Sequence, residues 1–208
     1  MELRRFEHPV FTSNTFVLFE EGSDTAFVVD IGEYNRSRSF LEAFSNIPIL
    51  FITHAHYDHI YHINEFLIDY PECQVYASSY ALECLASPKR NLSFYHDDPV
   101  SYKGSAVFSL KGKERIRLTD NTKAEVMATP GHTVGCLSFK IGKYFFTGDS
   151  FIPGYKVVTK LKGGNKLLSK DSLTLIKETL TPGMVLCPGH GPIYAESQIA
   201  ALSAHLEQ

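Results

Sequence analysis

Apolar and polar positions along the chain switch between a period of two and a helical period, and the switches mark its elements. Thr15-Phe16-Val17-Leu18-Phe19-Glu20 and Thr25-Ala26-Phe27-Val28-Val29-Asp30 are short apolar runs around Glu21-Gly22-Ser23-Asp24, a turn-rich link that predicts a β-hairpin. Residues 36–45 take helical spacing, with Phe40, Leu41 and Phe44 on one face. An apolar strand over 48–53 follows. A helix over about 59–70 then places Ile60, Ile63, Phe66 and Leu67 on one face and stops at Pro71. Cys73 to Ala77 reads as a strand and Ser79 to Ala86 as a helix, ended by Ser87-Pro88. This alternation predicts a layered α/β arrangement.

Residues 88–104 are irregular and mix charges, aromatics and turn formers, the composition of loops that overhang sites. Strands are predicted at 105–110, 114–118, 124–128, 135–141 and 143–147, then a helix at 169–180, a strand at 183–187 and a helix at 195–206. There is no repeat at the residue level, but the order suggests two similar halves, each a set of strands and then helices. The 208 residues suit a single domain over 1–208.

Composition narrows the function classes. Hydrophobic content of 44% and charged content of 21% are ordinary for a soluble globular protein. A net charge of -3 gives no reason to expect a nucleic-acid partner. No apolar run approaches the ~20 residues of a membrane span, and the first residues lack the apolar core of a leader. The expectation is a cytoplasmic protein acting on a small molecule, with no membrane partner. Cys73, Cys84, Cys136 and Cys187 form no C-x-x-C pair and read as reduced, buried thiols that pack rather than react.

The densest chemistry is His54-Ala55-His56-Tyr57-Asp58-His59, directly after the apolar run Ile47 to Thr53. In an extended loop His54 and His56 point the same way, Asp58 continues the alternation, and His59 faces a second position. Ionisable groups placed where the chain otherwise reads as core cost several kcal/mol unless coordination offsets it. Three later segments repeat the design of a strand ending in a ligand-type residue: Ala128-Thr129-Pro130-Gly131-His132-Thr133, Tyr144-Phe145-Phe146-Thr147-Gly148-Asp149-Ser150 and Met184-Val185-Leu186-Cys187-Pro188-Gly189-His190-Gly191-Pro192. Strand ends are where open sheets bind ligands.

The ordered motifs H-x-H-x-D-H, T-P-G-H-T, T-G-D and P-G-H-G-P resemble the metallo-β-lactamase superfamily over essentially the whole chain. The resemblance implies an α/β (α+β) fold, an αββα sandwich of two mixed β-sheets flanked by helices. It implies two divalent metal ions: one on His54, His56 and His132, a second on Asp58, His59 and His190, with Asp149 bridging. Asp30 resembles the family aspartate that supports a ligand from behind. One departure stands out. The family often carries Gly-Gly after the first motif, where this chain has Ile60-Tyr61-His62-Ile63, with His62 read as a helix residue and not a ligand.

Imidazole and carboxylate donors suit zinc, and also iron or manganese. Such a site implies a hydrolase using a metal-bound hydroxide, with Asp58 as a catalytic group that orients it. The motifs are most similar to small hydroxyacylglutathione hydrolase (glyoxalase II)-like enzymes, which cleave thioesters; the absence of their extra C-terminal helical region leaves glutathione recognition open. Lys156, Lys160 and Lys162, with Lys166 and Lys170, follow Asp149 and suggest a cationic rim for an acidic substrate. The alternatives are a persulfide dioxygenase-like enzyme using mononuclear iron on His54, His132 and Asp149, or a lactonase or phosphodiesterase on the dinuclear site. A flavodiiron reductase is disfavoured because position 56 is His.

Overall fold

The computed structural model describes residues 1–208 apart from 10, 103, 105, 196, 197 and 199–208. The helix expected over 195–206 falls mostly outside the described residues. Backbone contacts divide the chain into two compact units, residues 1–109 and 110–208.

In the first unit, β1 (Glu2–Glu7), β2 (Asn14–Phe19), β3 (Thr25–Val29), β4 (Asn46–Phe51), β5 (Gln74–Ser78) and β6 (Val107–Leu110) lie side by side in that order. The sheet is mixed: the β1–β2 and β2–β3 pairs are antiparallel, whereas β3–β4 and β4–β5 are parallel. The predicted hairpin is the β2–β3 pair, turned at Gly22 with φ 75°, a left-handed conformation that glycine adopts at no steric cost. Strand β1 was not anticipated, because its Glu2, Arg4, Arg5 and Glu7 mask the apolar positions Leu3 and Phe6.

The helices α1 (Arg38–Leu41), α2 (Tyr57–Ile60) and α3 (Ile63–Asp69) are shorter than the periodicity implies, whereas α4 (Ser79–Leu85) matches its expected limits to within a residue. Beyond α1 the chain closes i to i+3 turns, Ala43 N–H to Phe40 O and Phe44 N–H to Leu41 O, in place of a continued helix. The helix expected over 59–70 is two pieces that begin earlier, at Tyr57, and break at Tyr61–His62. Ser78 caps α4 by accepting from Ala81 N–H. Val17, Val28, Leu50, Ile52, Ile60, Ile63 and Phe66 form a core with no exposed surface. Each such side chain contributes roughly 1.5–3 kcal/mol by leaving water.

In the second unit, β7 (Arg115–Arg117), β8 (Lys123–Ala128), β9 (Leu137–Ile141), β10 (Tyr144–Gly148) and β11 (Val185–Pro188) form a sheet ordered β11-β10-β9-β8-β7. It too is mixed, with only β10–β11 parallel. Helix α5 (Lys166–Thr179) begins at Asn165, whose side chain accepts from Leu167 and Leu168 N–H, and buries Ile176 against Phe145, Met184 and Leu186. No helix among the described residues is long and apolar enough to cross a membrane.

Candidate metal centre

In the first unit, the parallel pairing that sets Val29 opposite Phe51 sends Asp30 and Thr53 off the same edge of the sheet. Asp30 takes φ 56°, a strained conformation that Asp tolerates better than most residues. Its buried carboxylate accepts three hydrogen bonds: from Thr53 N–H at 2.8 Å, from the Thr53 hydroxyl at 2.7 Å and from His59 Nδ1 at 2.8 Å. Because the Thr53 proton goes to Asp30, its oxygen accepts from His54 Nδ1, 3.2 Å away. His54 and His59 therefore both carry their proton on Nδ1 and keep the Nε2 lone pair for a metal, as a carboxylate or hydroxyl behind a ligating histidine arranges.

The His54 ring stands 4.8 Å from that of His56 and 4.2 Å from that of His59, centre to centre. The extended alternation expected through Asp58 ends at His56, with φ −75° and ψ 151°, because α2 starts at Tyr57. Asp58 and His59 are thus presented by a helical turn, and Asp58 Oδ2 lies 3.7 Å from His59 Nε2. Sequence reasoning missed what secures that turn. Ser13 Oγ donates to the Asp58 carbonyl at 2.6 Å, and Gly32 packs so close that a Cβ there would stand 1.8 Å from the same oxygen. Tyr57 N–H donates to Asn91 O, in the irregular segment, and His96 stacks on Tyr57 at 4.2 Å. A glycine two residues after an aspartate and a serine before a strand carry no signal of such a role in sequence.

In the second unit the ligand-type residues follow β8, β10 and β11. Gly148 pairs with Pro188 across the parallel strands, and Gly189 N–H donates to Gly148 O, so Asp149 and His190 leave the sheet together. The Pro130-Gly131 turn bearing His132 is held by α5: Ser172 Oγ donates to Pro130 O at 2.6 Å, and Asn165 N–H donates to Gly131 O at 2.8 Å. His132 Nδ1 donates to Val158 O at 2.8 Å, which again leaves Nε2 as the ligand atom. Asp149 Oδ2 stands 3.6 Å from His132 Nε2 and 3.5 Å from His190 Nε2. These separations are longer than a hydrogen bond. They match the spacing of about 3.4 Å between two donors that each lie about 2.0–2.2 Å from one tetrahedral ion.

His54, His56, Asp58, His59, His132, Asp149 and His190 all fall, among the described residues, in groups able to hold a metal ion, and His62 does not. His62 is also not inside a helix; it occupies the break between α2 and α3. Cys136 packs behind the histidine turn, its sulfur accepting from Thr133 N–H at 3.2 Å, and burial pushes its thiol up to about 11. Burial likewise raises the Cys187 thiol. Lys156, Lys160 and Lys162 are exposed on the loop that also supplies Val158 O to His132.

The sequence profile of the metallo-beta-lactamase superfamily matches residues 8–193. The chain is 26% identical to the "Probable polyketide biosynthesis zinc-dependent hydrolase PksB" of Bacillus subtilis, over 91% of this chain and 80% of that protein. It is 25% identical to the hydroxyacylglutathione hydrolase of Buchnera aphidicola over 88% of its own length, and spans 64% of that enzyme. The crystal structure of the BLEG-1 B3 metallo-beta-lactamase superposes with a TM-score of 0.87, covering 100% of both chains at 22% identity. The fold of two mixed sheets with flanking helices is therefore the one the motifs implied. By its match over residues 8–193, this chain belongs to the metallo-β-lactamase superfamily.

Proposed function

We propose that this protein is a metal-dependent hydrolase that cleaves a thioester such as a hydroxyacylglutathione. His54, His56, Asp58, His59, His132, Asp149 and His190 would hold two divalent ions, zinc foremost. The observation that carries this reading is the acceptor beside each Nδ1: the Thr53 hydroxyl for His54, the Asp30 carboxylate for His59 and the Val158 carbonyl for His132. Each histidine gives its Nδ1 proton to a neighbour and keeps Nε2 for a metal. Nitrogen and carboxylate oxygen donors fit zinc, and the PksB relative is described as zinc-dependent.

A divalent ion held by these ligands would supply a water acidified to a pKa of about 7 and an electrophile for the carbonyl oxygen. The Asp58 carboxylate would help hold the second ion and orient the water bound there, while Ser13 and Gly32 fix the Asp58 backbone. Asp30 keeps His59 turned with Nε2 available. No side-chain nucleophile is needed, and a Cys136 thiol raised to about 11 stays neutral near pH 7. Lys156, Lys160 and Lys162 attract an acidic substrate to the loop that carries Val158.

The test is turnover of S-lactoylglutathione by zinc-loaded protein, beside lactones and phosphodiesters. Thioester cleavage lost on chelation and restored by zinc is expected. Turnover on phosphodiesters alone would overturn the thioester assignment.

A further inference from the structure

We infer that His62 is a positioning residue that latches the Asp30–Asn35 segment onto the α2 turn and so sets the second group of ligands, Asp58 and His59. The inference rests on the seven-ligand reading above and extends it to a residue that holds no metal.

The His62 ring is buried, and both of its nitrogens bond to one segment. Nδ1 lies 2.8 Å from Gly32 O, and Asn35 Nδ2 lies 3.1 Å from Nε2. Nδ1 also lies 3.2 Å from the Tyr34 backbone N–H; the shorter contact, to Gly32 O, takes the Nδ1 proton, and Nε2 then accepts from Asn35. The backbones are laced in parallel with the ring, by Ile31 N–H to His59 O at 2.9 Å and His62 N–H to Ile31 O at 3.1 Å. Gly32, which His62 grips, is the residue pressed against the Asp58 carbonyl. Asp30, at the other end of the segment, is the acceptor for His59 Nδ1. The segment is thus a splint along Asp58 and His59, and the His62 side chain fastens it. The same fastening interrupts the helix between Ile60 and Ile63, so an amphipathic pattern that reads as one helix folds as two pieces. In the family pattern this position is often glycine, which has no side chain to fasten anything.

The experiment is zinc titration of the whole protein in competition with a chromophoric chelator, with circular dichroism as a check on folding. The wild-type protein should take up two equivalents. His62→Phe keeps a buried ring without polar atoms. It should weaken one equivalent by about 10–100-fold, the effect of removing a group that orients ligands, and leave the other unchanged. His62→Asn returns an N–H at the place of Nδ1 and should recover most of that loss, which a purely space-filling role would not allow. Asn35→Ala, at an exposed position that folding tolerates, should weaken the same equivalent by less. Wild-type binding of both ions in His62→Phe and Asn35→Ala overturns the latch alone, as does an Asn variant no better than Phe. A wild-type protein that binds fewer than two ions overturns the seven-ligand reading, and the latch with it.

Discussion

Asp30 and His59 are joined by a 2.8 Å hydrogen bond between a carboxylate and Nδ1, with only 2% and 0% of their side chains exposed. The bond fixes which nitrogen of His59 can bind a metal, and the strained backbone of Asp30 is the cost of placing it there. Asp30→Asn keeps the size and tolerates the left-handed conformation, but replaces one acceptor oxygen by a donor. Zinc affinity should fall about 10–100-fold with the fold intact. Calorimetric zinc binding beside circular dichroism measures it, and unchanged affinity would refute the orienting role.

Gly32→Ala places a Cβ against backbone that has nowhere to go, 1.8 Å from Asp58 O. The expected loss is about 1–3 kcal/mol of stability, the usual range for overpacking, together with loss of activity as Asp58 shifts. Urea unfolding and thioesterase rates report the two effects separately.

His56 is buried beside His54 and belongs to one of the candidate ligand groups. His56→Ala should lose metal and activity together, read by elemental analysis on the same sample used for kinetics. Full activity with full metal content in this variant would rule out the ligand assignment.

The exposed Lys156, Lys160 and Lys162 lie in a stretch, residues 150–170, that contains no Asp or Glu. Replacing all three by Ala should raise KM for an acidic thioester by about tenfold at low salt, with kcat unchanged. The difference should shrink as ionic strength rises; a KM insensitive to both salt and substitution would remove these lysines from substrate capture.

Burial raises the Cys73 and Cys136 thiols to about 12 and about 11, against an ordinary value of 9.0. Above pH 9 the unfolded chain releases protons that the folded protein retains, so stability is full below that pH and falls as pH rises towards 11. The slope is about 1.4 kcal/mol per pH unit for each thiol. Urea midpoints at pH 7 and pH 10 measure it. The same burial predicts that a thiolate-selective reagent at pH 8 labels neither cysteine until the protein is unfolded.

Much of this was legible in the chain. The alternation in residues 15–30 specifies a hairpin because a strand shows its period over a few residues, and β2 and β3 fall within a residue of the expected limits. Strand β1 is not legible in the pattern because an edge strand can be charged along much of its length. The run from His59 to Tyr70 misled for a different reason. Apolar spacing reports which face is buried, not whether the backbone is continuous, and the helix breaks at His62, whose ring bonds to Gly32 and Asn35.

By itself the sequence determined the inventory: histidines and aspartates placed just past strand ends, in an order that marks a family. Such placement is local, set by periodicity and by turn residues such as Pro130-Gly131 and Gly148. Only the tertiary structure decided which nitrogen His59 and His132 offer, because the partners that take their Nδ1 protons are distant in sequence, and Thr53 accepts from its neighbour His54 only because its own proton goes to Asp30. Asp30 reaches His59 across 29 positions and Val158 reaches His132 across 26. A hydrogen bond is fixed by angles and distances of a few ångströms, and those exist only once the strands have paired.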